Sequence, residues 1–440
     1  KWLLINKMDS VYEKAKEYYK SHKDMKKIQE DVKGIYFEIS ILEDEDLDSE
    51  VSSRIKEIAN ASFELYQNGL GYNNLIYISL LLAKMQSNKE VSYMGTTNAK
   101  AFSILAIEEP EAHLHPELQY QFLDFLRQNI LDHKVKQVFM TSHSPSLTAK
   151  VKVDELCCLF KDTNHNISAY YPRKIYSDDL KAKKFVQRYL DATRADMLFA
   201  GKILFVEGLA EQILIPVFVQ LLGYDKEWHK QQAIIVNIGG RYFEYFLKLY
   251  DKIEEGAFPI RVACLTDRDP VRRKKDTSES YSSCWPIEYE GSKDYEYDNH
   301  SEKFITKYEN HDNIHCFSQD SSGKTFEYEI ARVNSSNPHI LTDSIANSYE
   351  LEEMMNAKTF DEVKSKCKSE KLITIYSGNE KWNDTDKRDG LIAARYLSSV
   401  NKGENALDLA NKILDLPSEE KAKINVPTYI KDAISWLLKK

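Results

Sequence analysis

At 440 residues the chain has material for two or three domains with separate cores. No run approaches the roughly 20 apolar residues that cross a bilayer, which argues against a membrane-spanning role. The net charge of -9 gives no global attraction to nucleic acid; it disfavours a coating protein but leaves room for an enzyme with a local basic patch.

The start, KWLLINKMDS, has neither an initiator Met nor the long apolar stretch of a signal peptide, and reads as cut from a longer chain. Six cysteines without CxxC or metal-finger spacing read as reduced thiols of a cytoplasmic protein. Residues 1–60, dense in Lys, Glu and Asp with scattered apolar positions, predict helices with one buried stripe, a candidate dimerisation insert. Residues 61–165 follow as a first α/β unit. It opens on SFELYQNGLGYNNLIYISLLLAKM, an amphipathic stretch with Gly69 and Gly71 near its start. AFSILAI is then a short apolar run, as expected of a strand buried on both faces. ELQYQFLDFLRQNI is a helix, and KQVFMTSHSP a second strand closed by Pro145. Strand, helix, strand is the alternation of a parallel sheet.

In ABC-type ATPases an apolar strand ends in two acids, the first reaching Mg²⁺ and the second polarising the hydrolytic water. Glu108 and Glu109 occupy those places in ILAIEEPEAHLHP. His143, after the next strand, sits where a histidine reads the γ-phosphate, and Gly69 and Gly71 fit a signature-type loop. Taken singly, an acidic pair after a strand is more commonly a helix cap, but here three elements occur in the right order. Gly323-Lys324-Thr325 imitates the tail of a phosphate loop, yet Ser318 stands where the first glycine belongs. The phosphate loop is therefore expected on a preceding segment, with ATP bound only by the full-length protein.

Residues 166–200 read as a linker and connecting helix, and 201–440 as a second α/β unit with a helical insertion at about 320–390. KILFVEG is a strand, AEQILIPVFVQLLG a helix, AIIVNIGG a strand, YFEYFLKLYDKI a helix and PIRVACLTDRDP a strand. Residues 277–302 read as a surface excursion, and the chain from 317 onwards as mainly helical. Glu207 closes a strand, and Glu211 returns over it if a helix begins near Leu209. Asp267 and Asp269 close another strand, pointing the same way if the backbone stays extended. In a parallel sheet such groups collect at the carboxyl ends of strands. Four clustered carboxylates call for cations between them, and two Mg²⁺ or Mn²⁺ ions about 4 Å apart would serve phosphodiester cleavage. Arg272, Arg273, Lys274 and Lys275 form a basic run that could meet a DNA backbone, although such runs are more often solvated turns.

The combination resembles the OLD (overcoming lysogenization defect) family of bacterial and phage nucleases, an ABC-type ATPase followed by a TOPRIM domain. The matching pieces run over roughly residues 61–420: GLGYNNLIYI, ILAIEEPEAHLHP, TSHSP, RYLDATRADMLFA, KILFVEGLAEQILIP, VNIGG, CLTDRDP, KTFEYEIA and NKGENALDLA. VEGLAEQ and VNIGG look closer to stand-alone members than to those paired with a helicase. The resemblance implies a partial ATPase lobe followed by a TOPRIM α/β domain with a helical insertion and C-terminal part. It implies that Glu207, Glu211, Asp267 and Asp269 bind the catalytic metals, that Glu327 adds a further acid and that Lys402 neutralises charge developing on the phosphate. Arg395 is a weaker candidate for DNA contact. Glu108 departs from the Asp more usual at the first acidic position. DNA, a homodimer or higher homo-oligomer and an additional defence-system protein are the partners it implies, with no membrane. Two other classes stay open: a TOPRIM topoisomerase or primase, for which 27 tyrosines offer many nucleophiles, and a non-enzymatic DNA-binding ATPase scaffold.

Overall fold

The apolar run ending in Glu108 forms a strand, β1 (Ile104–Glu108), parallel to β2 (Gln137–Thr141), with Glu108 opposite Thr141. The computed structural model describes residues 104–439 apart from 113, 134, 162–163, 191–194, 241, 253–255, 276–279 and 379–380, and backbone at 36–37, 63–64 and 78. Gly69 and Gly71 lie outside the described residues. The crossover between β1 and β2 is helix α1 (Pro116–Leu131), which opens with proline at its first position and His115 as N-cap. Its Phe122, Phe125 and Leu126 are buried, whereas Ile104 on β1 and Phe139 on β2 are exposed. Burial on both faces, expected of β1, is thus not seen among the described residues. Helix α2 (Pro145–Lys150) follows, capped by Ser144, whose hydroxyl accepts from the Leu147 amide.

The described chain divides into two compact units, the first taking residues up to Val151 with Leu190–Ala195, the second Lys152–Tyr189 with Asp196–Lys440. An antiparallel hairpin, β3 (Cys158–Lys161) with β4 (Ile167–Tyr170), straddles the boundary expected at 165–166, and helix α3 (Leu180–Tyr189) lies in the stretch read as a linker and connecting helix. The centre of this unit is a four-stranded parallel sheet. Its strands are β5 (Lys202–Val206), β6 (Ala233–Asn237), β7 (Arg261–Leu265) and a later one, Ile314–Phe317, at the edge beside β7. Ile203, Leu204, Phe205 and Val206 are fully buried, as an all-apolar central strand requires. Helix α4 (Leu209–Leu221) follows β5, and short helix α5 (Phe243–Leu247) follows β6.

After β7 the chain leaves the sheet to form a second one, of three antiparallel strands: β8 (Val271–Lys274) between β9 (Ser282–Ser283) and β10 (Tyr295–Asp298). The segment expected to be a plain surface excursion therefore has its own pairing. Tyrosines and glutamates of β10 and the neighbouring turns meet the arginines of β8, and Cys284 and Ile287 are buried. Helix α6 (Glu302–Tyr308) returns the chain to the edge strand, β11 (Ile314–Phe317).

From there the chain is helical: α7 (Phe326–Val333), α8 (Ser348–Asn356), α9 (Phe360–Lys366), α10 (Glu370–Ser377), α11 (Asp384–Leu397), α12 (Lys402–Asp415) and α13 (Thr428–Leu438). Their apolar faces join α4 and the sheet in one core. Helix α13 packs on β5, β7 and β11. Its last carbonyls would be orphaned; Lys202 Nζ, at the start of β5, donates to Leu437 O at 2.6 Å and Lys439 O at 3.0 Å. Arg261, at the start of β7, donates to Trp436 O at 3.4 Å. None of the described helices is long and apolar enough to cross a membrane, and the six cysteines are free thiols.

Candidate active site

The parallel register sets Val206, Asn237, Leu265 and Phe317 at one edge of the sheet, so the residues that follow them emerge side by side. Glu207 Oε1 accepts from the Thr266 hydroxyl at 2.5 Å and from the Asp267 amide at 3.2 Å. The strand ends carrying Glu207 and Asp267 are thus in direct contact. On the other flank, the Gly240 amide donates to Glu207 O at 3.0 Å, which fixes the VNIGG turn beside the acid. That turn needs glycine: Gly239 and Gly240 have φ of 70° and 132°.

Helix α4 begins at Leu209, so Glu211 lies in its first turn, and it is buried. Its carboxylate folds back over the turn: a Cβ placed on Gly208 would lie 3.0 Å from Glu211 Oε2. Asp269 reaches the cluster by a route the alternation of an extended strand does not describe. Its φ is 41°, a left-handed conformation, and its amide donates to Lys324 O at 3.0 Å. Between the two aspartates, Arg268 is buried and stacks on the Tyr289 ring at 4.5 Å. Glu327, in the first turn of α7, is also buried and accepts from the Thr325 hydroxyl at 3.1 Å.

Asp267 keeps some contact with solvent, yet the surrounding protein raises its carboxyl well above the usual range. Burial is the main cause, followed by the negative charges of Glu211, Asp269, Glu207 and Glu327. Four acids therefore act on a fifth. Hard carboxylate oxygens are the donor chemistry of Mg²⁺ or Mn²⁺, and the suppressed ionisation of Asp267 is what a nearby divalent cation would reverse. The residues present fit such an ion in kind. In their present positions, no group of three or more His, Cys, Asp or Glu among the described residues is close enough to hold one.

The other expected residues fall out unevenly. Lys402 is the first residue of α12; its side chain lies outside the described residues. The turn that carries it is near the acids, since a Cβ on Gly403 would lie 3.8 Å from Leu209 Cδ2. In the basic run, Arg272 pairs with Glu288 at 3.0 Å and stacks on Tyr295, and Arg273 pairs with Glu296 at 2.5 Å and stacks on Tyr281. Lys274 and Lys275 are exposed. Arg395 forms a two-pronged bond with Glu350, both contacts at 2.7 Å, which makes it a structural residue.

Lys324, of the false phosphate loop, is buried, donating to Ser283 Oγ and Cys284 O, each at 2.7 Å. Burial pushes its amine below the usual lysine range, with Asp269 and Cys284 working against the shift. Thr325 caps α7. Sequence reasoning also missed Gln319, whose amide nitrogen donates to Asp267 Oδ1 at 2.7 Å. A polar residue just past an apolar strand was the only signal for it.

In the first unit, Glu109 has φ of 40°, and its amide bonds Thr141 O at 3.1 Å. His143 Nε2 lies 3.3 Å from Glu109 Oε1, with both side chains at least half exposed. Glu108 is exposed at the end of β1. The unforeseen residue is Glu111. Its Oε1 accepts from the Ser142 hydroxyl and the His143 amide, both at 2.7 Å, and ties the turn after β2 to the loop after β1.

Comparison with known proteins agrees with both halves. Residues 3–148 match the model of an AAA ATPase domain, a span that takes in residues 3–60, whose expected helices lie outside the described residues. Residues 198–269 match that of an overcoming lysogenization defect protein-like TOPRIM domain, and so include Glu207, Glu211, Asp267 and Asp269. The chain therefore combines an AAA-type ATPase domain with an OLD-like TOPRIM domain.

Within that class it is homologous to the GajA and OLD nucleases. It is 23% identical over 408 residues to Endonuclease GajA of Bacillus cereus strain HuB5-5, covering 85% of this chain and 53% of that protein. To the OLD nuclease of Thermus scotoductus it is 26% identical over 176 residues, 39% of this chain and 31% of that protein. The chain thus spans about half the length of the first relative and a third of the second. Among solved structures, the C-terminal region of the Burkholderia pseudomallei OLD protein aligns with a TM-score of 0.29 at 17% identity, covering 54% of this chain and 97% of that one.

Proposed function

We propose that the chain belongs to a divalent-metal-dependent DNA endonuclease or nickase, with the cutting site at the carboxyl edge of the second unit's parallel sheet. The observation that carries this reading is the contact between Glu207 and Asp267, with Glu211, Asp269 and Glu327 all raising the proton affinity of Asp267. Glu207, Glu211, Asp267 and Asp269 would hold the ions, Mg²⁺ or Mn²⁺, with Glu327 as a further acid. Bound there, two such ions supply charge stabilisation for the attacking and leaving oxygens of a phosphodiester. A bound cation would oppose the rise in the proton affinity of Asp267, and the bond from its amide to Glu207 holds it at the sheet edge. Lys402, on the turn beside Leu209, would balance charge developing on the phosphate. Lys274 and Lys275, exposed after the aspartates, would be the part of the basic run that meets a DNA backbone.

Neither alternative class draws support from the site. Tyr429 accepts from Gln319 at 3.2 Å beside Asp267, but burial first, and then the charges of Asp267 and Glu211, push its phenol well above the usual range. It is a poor nucleophile for a topoisomerase. A non-enzymatic scaffold has no use for four acids acting on a fifth. In the first unit, Glu108, Glu109 and His143 would serve ATP in the full-length protein, regulating or assembling a cytoplasmic homodimer, with phage defence as the biological setting. Incubating supercoiled plasmid with the full-length protein and Mg²⁺ or Mn²⁺ tests the proposal. Nicking or linearisation that Asp267→Ala abolishes is the expected result. Relaxation through a tyrosyl adduct, or retardation without cutting, would overturn it.

A further inference from the structure

The segment 318–325, which imitates a phosphate loop in sequence, wraps the aspartate turn. Gln319, directly beyond β11, is buried, and each end of its amide is committed. Its oxygen accepts from the Arg268 amide at 2.8 Å, so its nitrogen must face the other way. That nitrogen donates to Asp267 Oδ1 at 2.7 Å and to Tyr429 Oη at 3.2 Å. The Arg268 backbone N–H cannot accept, so a flipped amide would lose the first bond and set oxygen against a carboxylate. The rest of the loop holds this arrangement. The Arg268 guanidinium donates to Ser321 O, the Asp269 amide to Lys324 O. Gly323 passes so close that a Cβ there would lie 2.2 Å from Gln319 Cβ. Glycine before Lys324 is thus explained by its packing on Gln319.

We propose that Gln319 is a positioning residue for the metal site: it occupies Oδ1 of Asp267 with a neutral donor and so presents the other oxygen to a divalent cation. A neutral amide suits the place. A cation there would compete with the metal, and another carboxylate would repel Asp267. This inference rests on the metal-site reading of Asp267 given above. Side chains that orient ligands from behind typically change metal affinity by roughly 10–100-fold when removed.

The test is Mn²⁺ titration calorimetry on this chain, with the unfolding midpoint in EDTA read alongside. Gln319→Met keeps the volume but removes both the donor and the acceptor for the Arg268 amide; its Mn²⁺ affinity should fall about tenfold, and the EDTA midpoint should fall as well because the Arg268 amide loses its partner. Combined with Asp267→Asn, the same substitution should have no further effect on residual binding, which a merely structural role would not produce. Should Gln319→Met fail to fold, Gln319→Glu decides, since it keeps the acceptor for the Arg268 amide while turning a carboxylate on Asp267. Unchanged or tighter binding in either folded variant overturns the inference. Asp267→Ala separates the two claims. If it binds Mn²⁺ like the unaltered chain, the metal-site reading fails and Gln319 with it; if it loses binding while Gln319→Met does not, only the role of Gln319 fails.

Discussion

Both units put acids at the end of a parallel strand, but they treat them differently. Glu109 and its neighbour His143 are at least half exposed, and the Glu108 end of β1 is open. Glu207 and Asp267 are half-buried and in direct contact, with Glu211 and Glu327 buried. An exposed acid keeps water as its counterweight. An enclosed group of acids stores repulsion until a cation arrives. The first arrangement suits a site completed by other parts, the second a site whose own fold supplies nearly everything.

The sharpest way to break this contrast is Asp267→Asn, which should cut metal-dependent plasmid nicking on the order of 10³-fold, about 4 kcal/mol of barrier. Undiminished nicking would show that the enclosed acids are idle. Next in size is Glu350→Ala, which strands the Arg395 guanidinium against α8 and should cost about 3 kcal/mol in urea unfolding. Burial raises the Glu350 carboxyl, but the Arg395 pair and the Lys368 amide outweigh it and leave it below the usual range. That contribution is therefore present above the ordinary glutamate range and lost as pH falls through the depressed value. An acid-unfolding curve unmoved by Glu350→Gln would contradict it.

Asp267 has the opposite sign. Its raised carboxyl binds a proton more tightly in the folded chain, so the metal-free protein gains stability from this group as pH falls through the raised value. Asp267→Asn should accordingly stabilise the EDTA-treated chain near neutral pH by about 1–2 kcal/mol, the usual scale for relieving strain at a functional site. A lower melting temperature would mean the acids do not repel as argued. The smallest effect belongs to the open site. Glu111→Ala should free the Ser142–His143 turn at a cost of about 1 kcal/mol, read as faster amide exchange at His143. Mn²⁺ binding in the second unit should not change.

The enclosed site was largely legible because its acids follow apolar strands and parallel topology gathers strand ends. Glu211 could be placed from a helix start alone. What the pattern hid were partners from distant segments. Arg272 and Arg273 look like free cations until the return strand brings Glu296, and the preceding turn Glu288, against them. Asp269 was expected to follow strand alternation, but a bond to Lys324 O holds it left-handed. Gln319 has no periodicity to betray it, and its importance exists only once Arg268 and Asp267 stand on either side.

Helix α13 runs as a strut across the sheet. At one end Lys202 and Arg261 grip its final carbonyls; at the other Tyr429 leans on Gln319 behind the acids. Loosening the grip at the far end, by clipping the last few residues or replacing Lys202, would therefore slacken the scaffold behind Asp267 without touching any acid.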